Sequence, residues 1–303
     1  MRMTLSRRFT LALSIAAALA IIAGPSFRAY AQAGDRERTL FVSALDEKGE
    51  PVTALAPDDV IVREDGARRE VLRISRATEP IDIALLVDNS ASAEDAITHM
   101  RDALRRFIAK MAADKNAIAL IALADRPTIL VDYTSDQKRL EQGIGRLFPM
   151  SMSGMTLLDA IVEVSRGLAR RETPRVAIVP VVNDGVEFTN RYSRDVIDAL
   201  KMASAPLHAV TVGSFGITGD DASRERAFVL DSGTRDSGGQ RVTLLSPMGL
   251  PSALDKLARE LSSQHKVVYG RPQSLIPPEK LEITSARRGV TVRGAPMRGQ
   301  AGA

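Results

Sequence analysis

Residues 83–92 read IALLVDNSAS. Five apolar residues end at Val87, and Asp88, Ser90 and Ser92 then put a carboxylate and two hydroxyls on alternate positions. An uninterrupted apolar run suits a strand covered on both faces, because successive side chains point to opposite sides of a sheet. Three more runs share this character: AIALIAL at 117–123, VAIVPVV at 176–182 and HAVTV at 208–212. Between and after them lie stripes with helical spacing. Ile97, Met100, Leu104, Phe107, Ile108 and Met111 form one; Leu157, Ile161, Val164 and Leu168 another; Leu254, Leu257 and Leu261 a third, within a last helix expected at 250–264. Strands alternating with helices predict a three-layer α/β domain, a doubly wound and mostly parallel sheet, over residues 80–269.

In such sheets ligands bind just beyond the carboxyl ends of the strands. Asp88 stands there on the first run, with Ser90 and Ser92 in the loop that opens a helix near Ala93. Asp184 ends the third run, and Gly185 permits a sharp turn. Thr156 lies in SMSGMTLLDA, where Gly154 loosens the loop and Thr156 starts a helix. Two carboxylates and three hydroxyls can thus meet on one edge. All-oxygen ligation with little charge suits a hard cation, Mg²⁺ or Mn²⁺. Each piece also has an ordinary use: Ser90, Ser92 or Thr156 as a helix cap, and Asp184-Gly185 as a turn. Three separate loops carrying such groups to the same edge favour the metal.

The Asp88-x-Ser90-x-Ser92 string, then Thr156, then Asp184-Gly185, resembles the von Willebrand factor A domain with its metal-ion-dependent adhesion site. The resemblance spans residues 81–269. It implies that Ser90, Ser92 and Thr156 touch the ion while Asp88 and Asp184 act through water. It further implies that a partner protein completes the coordination with an Asp or Glu. The flanks VTALAPDDVIVREDG and EITSARRGVTVRG are similar to those of bacterial exported members.

Composition supports an exported protein. Arg2, Arg7 and Arg8 precede an apolar run at 11–23, and Ala29-Tyr30-Ala31 has the small-x-small form of a cleavage site, so residues 1–31 read as a signal peptide. Arg7-Arg8 leaves the twin-arginine route open beside the general one. A periplasmic or extracellular location is expected, with membrane contact only if the segment stays uncleaved. The 303-residue chain has a net charge of +4, and the signal segment carries four arginines without an acid. The mature protein is therefore near neutral, which removes the main support for nucleic-acid binding. No cysteine is present, so disulfides, thiolate metal sites and cysteine nucleophiles are excluded.

Residues 36–78 read as a small antiparallel β unit, with Asp65-Gly66 as a hairpin turn. Residues 270–303 add a strand pair, Leu281–Ser285 with 290–293, that rejoins this unit, and then a disordered tail.

Catalytic readings are weaker. Asp231-Ser232-Gly233-Thr234 matches the aspartic-protease string, but one copy supplies only one of the two carboxylates needed. It is expected as loop before the strand RVTLL. A dehalogenase-type phosphatase needs an acid where Ser90 stands. The Gly-x-Ser-x-Gly elbow and the phosphate-binding Gly-x4-Gly-Lys loop are missing. His99, His208 and His265 are far apart in sequence and read as structural or solvated. The expectation is a non-enzymatic, Mg²⁺-dependent protein-binding module. Its rivals are phosphoester hydrolysis by ion-activated water and a metal-free scaffold.

Overall fold

The computed structural model describes residues 35–112, 115–213, 220–272 and 278–296. The expected signal peptide and the C-terminal tail from residue 297 lie outside them. No helix among the described residues is long and apolar enough to cross a membrane.

The chain opens with β1 (Asp35–Leu45), β2 (Val60–Glu64), β3 (Ala67–Arg69) and β4 (Val71–Arg76). The quoted run follows as β5 (Ile81–Val87), wholly buried. Its alternation divides two cores. Ile83, Leu85 and Val87 face one, Ala84 and Leu86 the other, which is why no polar residue interrupts the run. Next come α1 (Ile97–Ala112), β6 (Ala117–Ala122), β7 (Thr128–Thr134), α2 (Gln137–Gly145), α3 (Leu157–Leu168), β8 (Arg175–Asn183), α4 (Ser193–Ala203) and β9 (His208–Val212). The domain closes with α5 (Asp221–Phe228), α6 (Thr234–Asp236), β10 (Gln240–Leu244) and α7 (Leu250–Ser262). The sheet order is β10-β9-β8-β5-β6-β7, parallel except for the antiparallel edge strand β7. The apolar stripes of α1, α2 and α7 cover one face, those of α3 and α4 the other. The doubly wound α/β fold expected from the sequence is present.

Three readings are corrected. The helix after Ser92 begins at Ile97, and only a short 3-10 turn, Ala91–Ala93, follows Ser90. The DSGT stretch is helical: a π turn, Val229–Gly233, links α5 to α6. Its sequence hides this because α5, DASRERAF, has no apolar stripe; Asp220 caps its start by accepting from the backbone of Ser223 at 2.7 Å. The two C-terminal strands do not pair with each other. β12 (Leu281–Ser285) joins β2, whereas β13 (Thr291–Pro296) joins β1.

β11 (His265–Pro272) falls within the range read as α/β domain, yet it pairs antiparallel with β1 and β4. The β unit is thus a sheet β13-β1-β11-β4 and a second sheet β12-β2-β3. Leu40, Val42, Val60, Val62, Val267 and Val292 form its own core. Arg175 ties the two parts together: its guanidinium donates to the carbonyl of Leu261 in α7 at 2.8 Å and stands 5.5 Å from the centre of the Phe41 ring on β1.

Winding reverses at β5: the chain proceeds through β6 and β7 on one side and through β8, β9 and β10 on the other. The carboxyl ends of β5 and β8 therefore flank the switch point, where α/β sheets leave a crevice. Asp88 and Asp184 each follow directly on one of these two strands.

Candidate metal centre

Asp88 is fully buried, and its two oxygens accept four hydrogen bonds. Oδ1 takes the backbone N–H of Ser90 at 2.8 Å. Oδ2 takes the Ser92 hydroxyl at 3.3 Å, the Asn183 backbone N–H at 3.0 Å and the Asn183 amide at 3.2 Å. This bonding folds the loop back on its own carboxylate and sets the serines side by side. Ser90 Oγ and Ser92 Oγ lie 2.9 Å apart. Two neighbouring oxygens of an octahedral Mg²⁺ site, each about 2.1 Å from the ion, are about 3.0 Å apart, close to this spacing.

The capping alternative can be tested directly. Ser90 occupies the N-cap position of the 3-10 turn and Thr156 that of α3, yet neither side chain caps. Thr156 Oγ1 instead donates to the carbonyl of Leu123 at 2.7 Å, leaving its lone pairs uncommitted. The start of α3 is satisfied from elsewhere: Glu187 Oε1 accepts the N–H of Leu158 at 3.0 Å. Glu187 does the work expected of Thr156 and so releases the threonine hydroxyl. Its other oxygen, Oε2, is buried without a hydrogen-bond partner. Burial pushes the Glu187 carboxyl up to about 8, against the pull of the Leu158 N–H and Arg226, so it is neutral at pH 7.

Three loops converge by backbone contact. Asn89 fixes two of them, its Oδ1 accepting from Leu123 and Ala124 at 3.1 and 2.9 Å, and its amide donating to Phe148 O at 3.1 Å. The Thr156 loop is pinned to the β8 loop by Met155 N–H to Val186 O at 2.8 Å and Phe188 N–H to Met155 O at 2.7 Å. Gly185 lies so close to Ser92 that a Cβ there would sit 2.6 Å from the serine Cβ. Asp184 is a third exposed, and its nearest cation is the buried Arg226, 3.8 Å away, which also donates to Gly185 O. Gly213, at φ +105°, passes so near that a Cβ would meet that of Asp184 at 2.7 Å.

The structure thus joins Asp88, Ser90 and Ser92 directly. It brings Asp184 against them through Gly185, and ties Thr156 to the same rim through Leu123. Thr156 and Glu187 open onto a cleft of about 730 Å³ shared with Asp125, Asp159 and Arg191. Among the described residues no three His, Cys, Asp or Glu side chains converge, so a metal here would depend chiefly on hydroxyls. That donor set fits a hard cation and not a soft one. Sequence reasoning missed Asn89, Asn183, Glu187 and Arg226. The asparagines are legible in hindsight as neighbours of the two aspartates, but no spacing announces Glu187 or Arg226.

Residues 83–186 match the family model of the von Willebrand factor type A domain. No curated protein matches the chain. Similar solved structures include the vWF domain of the type V pilus tip protein Mfa5 from Porphyromonas gingivalis. That match has 15% identity and a TM-score of 0.46, covering 61% of this chain and 96% of that one. BatB, a conserved hypothetical protein from Bacteroides thetaiotaomicron, is 15% identical with a TM-score of 0.46, covering 60% and 98%. Proximal thread matrix protein 1 of the mussel byssus, solved with a zinc-occupied MIDAS motif, is 15% identical with a TM-score of 0.48, covering 69% and 50%.

Proposed function

We propose, from the premise that residues 83–186 are a von Willebrand factor type A domain, that this chain is an exported protein-binding module. Its ion site captures an Asp or Glu of a partner protein. Ser90, Ser92 and Thr156 would hold Mg²⁺ or Mn²⁺, with Asp88 and Asp184 acting through water. The ion, when bound, supplies a hard Lewis-acidic position able to accept one further carboxylate oxygen. Asp88 orients: with four donors on its oxygens it fixes the serine pair and has little capacity left for direct ligation. Asp184 faces solvent more openly and offsets part of the ion's charge, while Arg226 behind it keeps the site electron-poor. Such a balance favours an outside anion over a second internal one.

The observation that carries this reading is the release of the hydroxyls from capping. At Ser90 and Thr156 the side-chain oxygen stands at a helix start and bonds elsewhere. The serine pair is also spaced as an octahedral edge requires. The same saturation of Asp88 supports binding over turnover, because that carboxylate is not free to take a proton from water. Export to the periplasm or the cell exterior rests on the sequence of residues 1–31.

The test is a calorimetric titration of the purified protein with MgCl₂ and MnCl₂, alongside Asp88→Ala. One ion per chain is expected for the parent and none for the variant. No uptake by the parent at millimolar concentration would remove the site assignment.

A further inference from the structure

The loops that carry the ion site also carry an unusual surface. Phe148, Met150 and Met152 precede Thr156, and Val186 and Phe188 follow Asp184; all five are exposed, Met152 at 97% and Phe148 and Val186 at 61% each. Scattered apolar residues need no explanation on a protein surface, but a contiguous set does. These five belong to two loops bonded to each other and to the Asp88 loop. Met150 N–H donates to Asn89 O at 2.8 Å, and the Phe188 ring lies against Gly154.

Met152 sharpens the point. It sits at φ +58°, in the left-handed region where Gly or Asn is the usual occupant. An extended apolar side chain there gains nothing from packing and little from turn preference. Arg101 stands 4.8 Å from the centre of the Phe148 ring and so holds one wall of the surface in place. Methionine is adaptable and aromatic rings anchor interfaces, so the mixture is suited to a protein contact.

We infer that Phe148, Met150, Met152, Val186 and Phe188 form an apolar collar around the ion site, and that the collar takes a partner protein segment whose carboxylate is flanked by apolar side chains. The inference rests on the ion-bridging reading and goes further by stating the chemistry on either side of the acid. Polarity is complementary on both sides: the ion would face the carboxylate, and the exposed collar faces its apolar neighbours. A partner with a polar-flanked acid would leave the collar in water and lose its contribution.

The test uses two synthetic peptides, one with a central Asp between Leu and Phe and one with the same Asp between Ser and Gly. Binding to the purified protein is measured in Mn²⁺, while ion uptake is followed separately by electron paramagnetic resonance. The apolar-flanked peptide is expected to bind about tenfold or more tightly than the polar one. In the double variant Met152→Ser/Val186→Ser that preference should fall to near parity with Mn²⁺ uptake unchanged. Equal affinities, including no binding of either peptide, would overturn the collar even with the ion bound. A preference that persists in EDTA would uphold the collar and count against the ion bridge. Self-association through the collar, with no peptide preference, would overturn the inference in favour of a second copy of this chain.

Discussion

β5 carries a buried carboxylate near each end, Asp82 and Asp88, and the two are treated in opposite ways. Asp82 is neutralised by a cation: Arg171 forms an ion pair with it, Thr173 Oγ1 donates at 2.7 Å, and the guanidinium stacks 4.2 Å from the Tyr133 ring. Asp88 meets only neutral donors, and among the described residues no Lys, Arg or His pairs with it. A buried charge is tolerable when paired, and costly when it is only hydrogen-bonded. One end of the sheet is finished by the protein itself. The other is left with negative charge that an incoming cation would offset.

That contrast can be broken most sharply by removing each carboxylate. Asp88→Ala should abolish divalent-ion uptake and also lower the denaturation midpoint in EDTA, because Ser90 and Asn183 lose a buried acceptor. Asp82→Ala should leave uptake intact and lower stability by about 1–2 kcal/mol, read from urea unfolding, because Arg171 is over a third exposed and regains water. If both variants lost stability equally and neither affected ion binding, the two ends would not differ in the way described.

The closed end should also be the acid-sensitive one. His208 begins β9 at that end, fully buried with both ring nitrogens unbonded, and burial lowers it to about 4. The unfolded chain, with an ordinary histidine near 6.5, binds the proton first. The His208 contribution to stability should therefore be constant above about pH 6.5, fall as pH drops to about 4, and level off below that, while the neutral Glu187 carboxyl makes an opposing contribution that is lost as pH rises towards about 8. The loss attributable to His208 is about 3 kcal/mol. The difference in stability between the parent and a His208→Gln variant, measured by chemical denaturation, should follow the His208 profile.

At the open end, Glu187→Ala should weaken Mn²⁺ binding about tenfold, because Thr156 is then drawn back to cap α3. Glu187→Gln, whose amide oxygen can still accept the Leu158 N–H, should restore most of the affinity; equal loss in both variants would rule out the capping account. The smallest effect is expected at Met152, where Asn should raise stability by about 0.5 kcal/mol by suiting the positive φ. Thermal or urea unfolding would detect the gain.

The sequence is a better guide to one end of this comparison than the other. The apolar runs of β5, β6, β8 and β9 announce strands because each is sandwiched between two cores, and Asp88, Ser90 and Ser92 stand out as the break in that pattern. β7 is not announced in this way: it lies on the sheet edge, and TILVDYT mixes exposed and buried positions without strict alternation. Helix α5 escapes because its residues make no stripe. Glu187 acts on a helix 29 residues earlier in the chain, so no local window contains its function. The two C-terminal strands looked like partners because they are near in sequence, but each finds a vacant edge on a different sheet.

The position of β1 has a consequence for how the chain is made. It lies between β11 and β13, pairing Leu40 with Val267 on one side and with Pro296 on the other. β1 is made before the α/β strands and must therefore wait for its neighbours, one backbone edge until β11 and the other until β13 has followed it. Over that interval the α/β domain can close around its own helices, and the β unit can only be added afterwards. A chain stopped before β11 would carry two bare edges on β1, an open template for other strands.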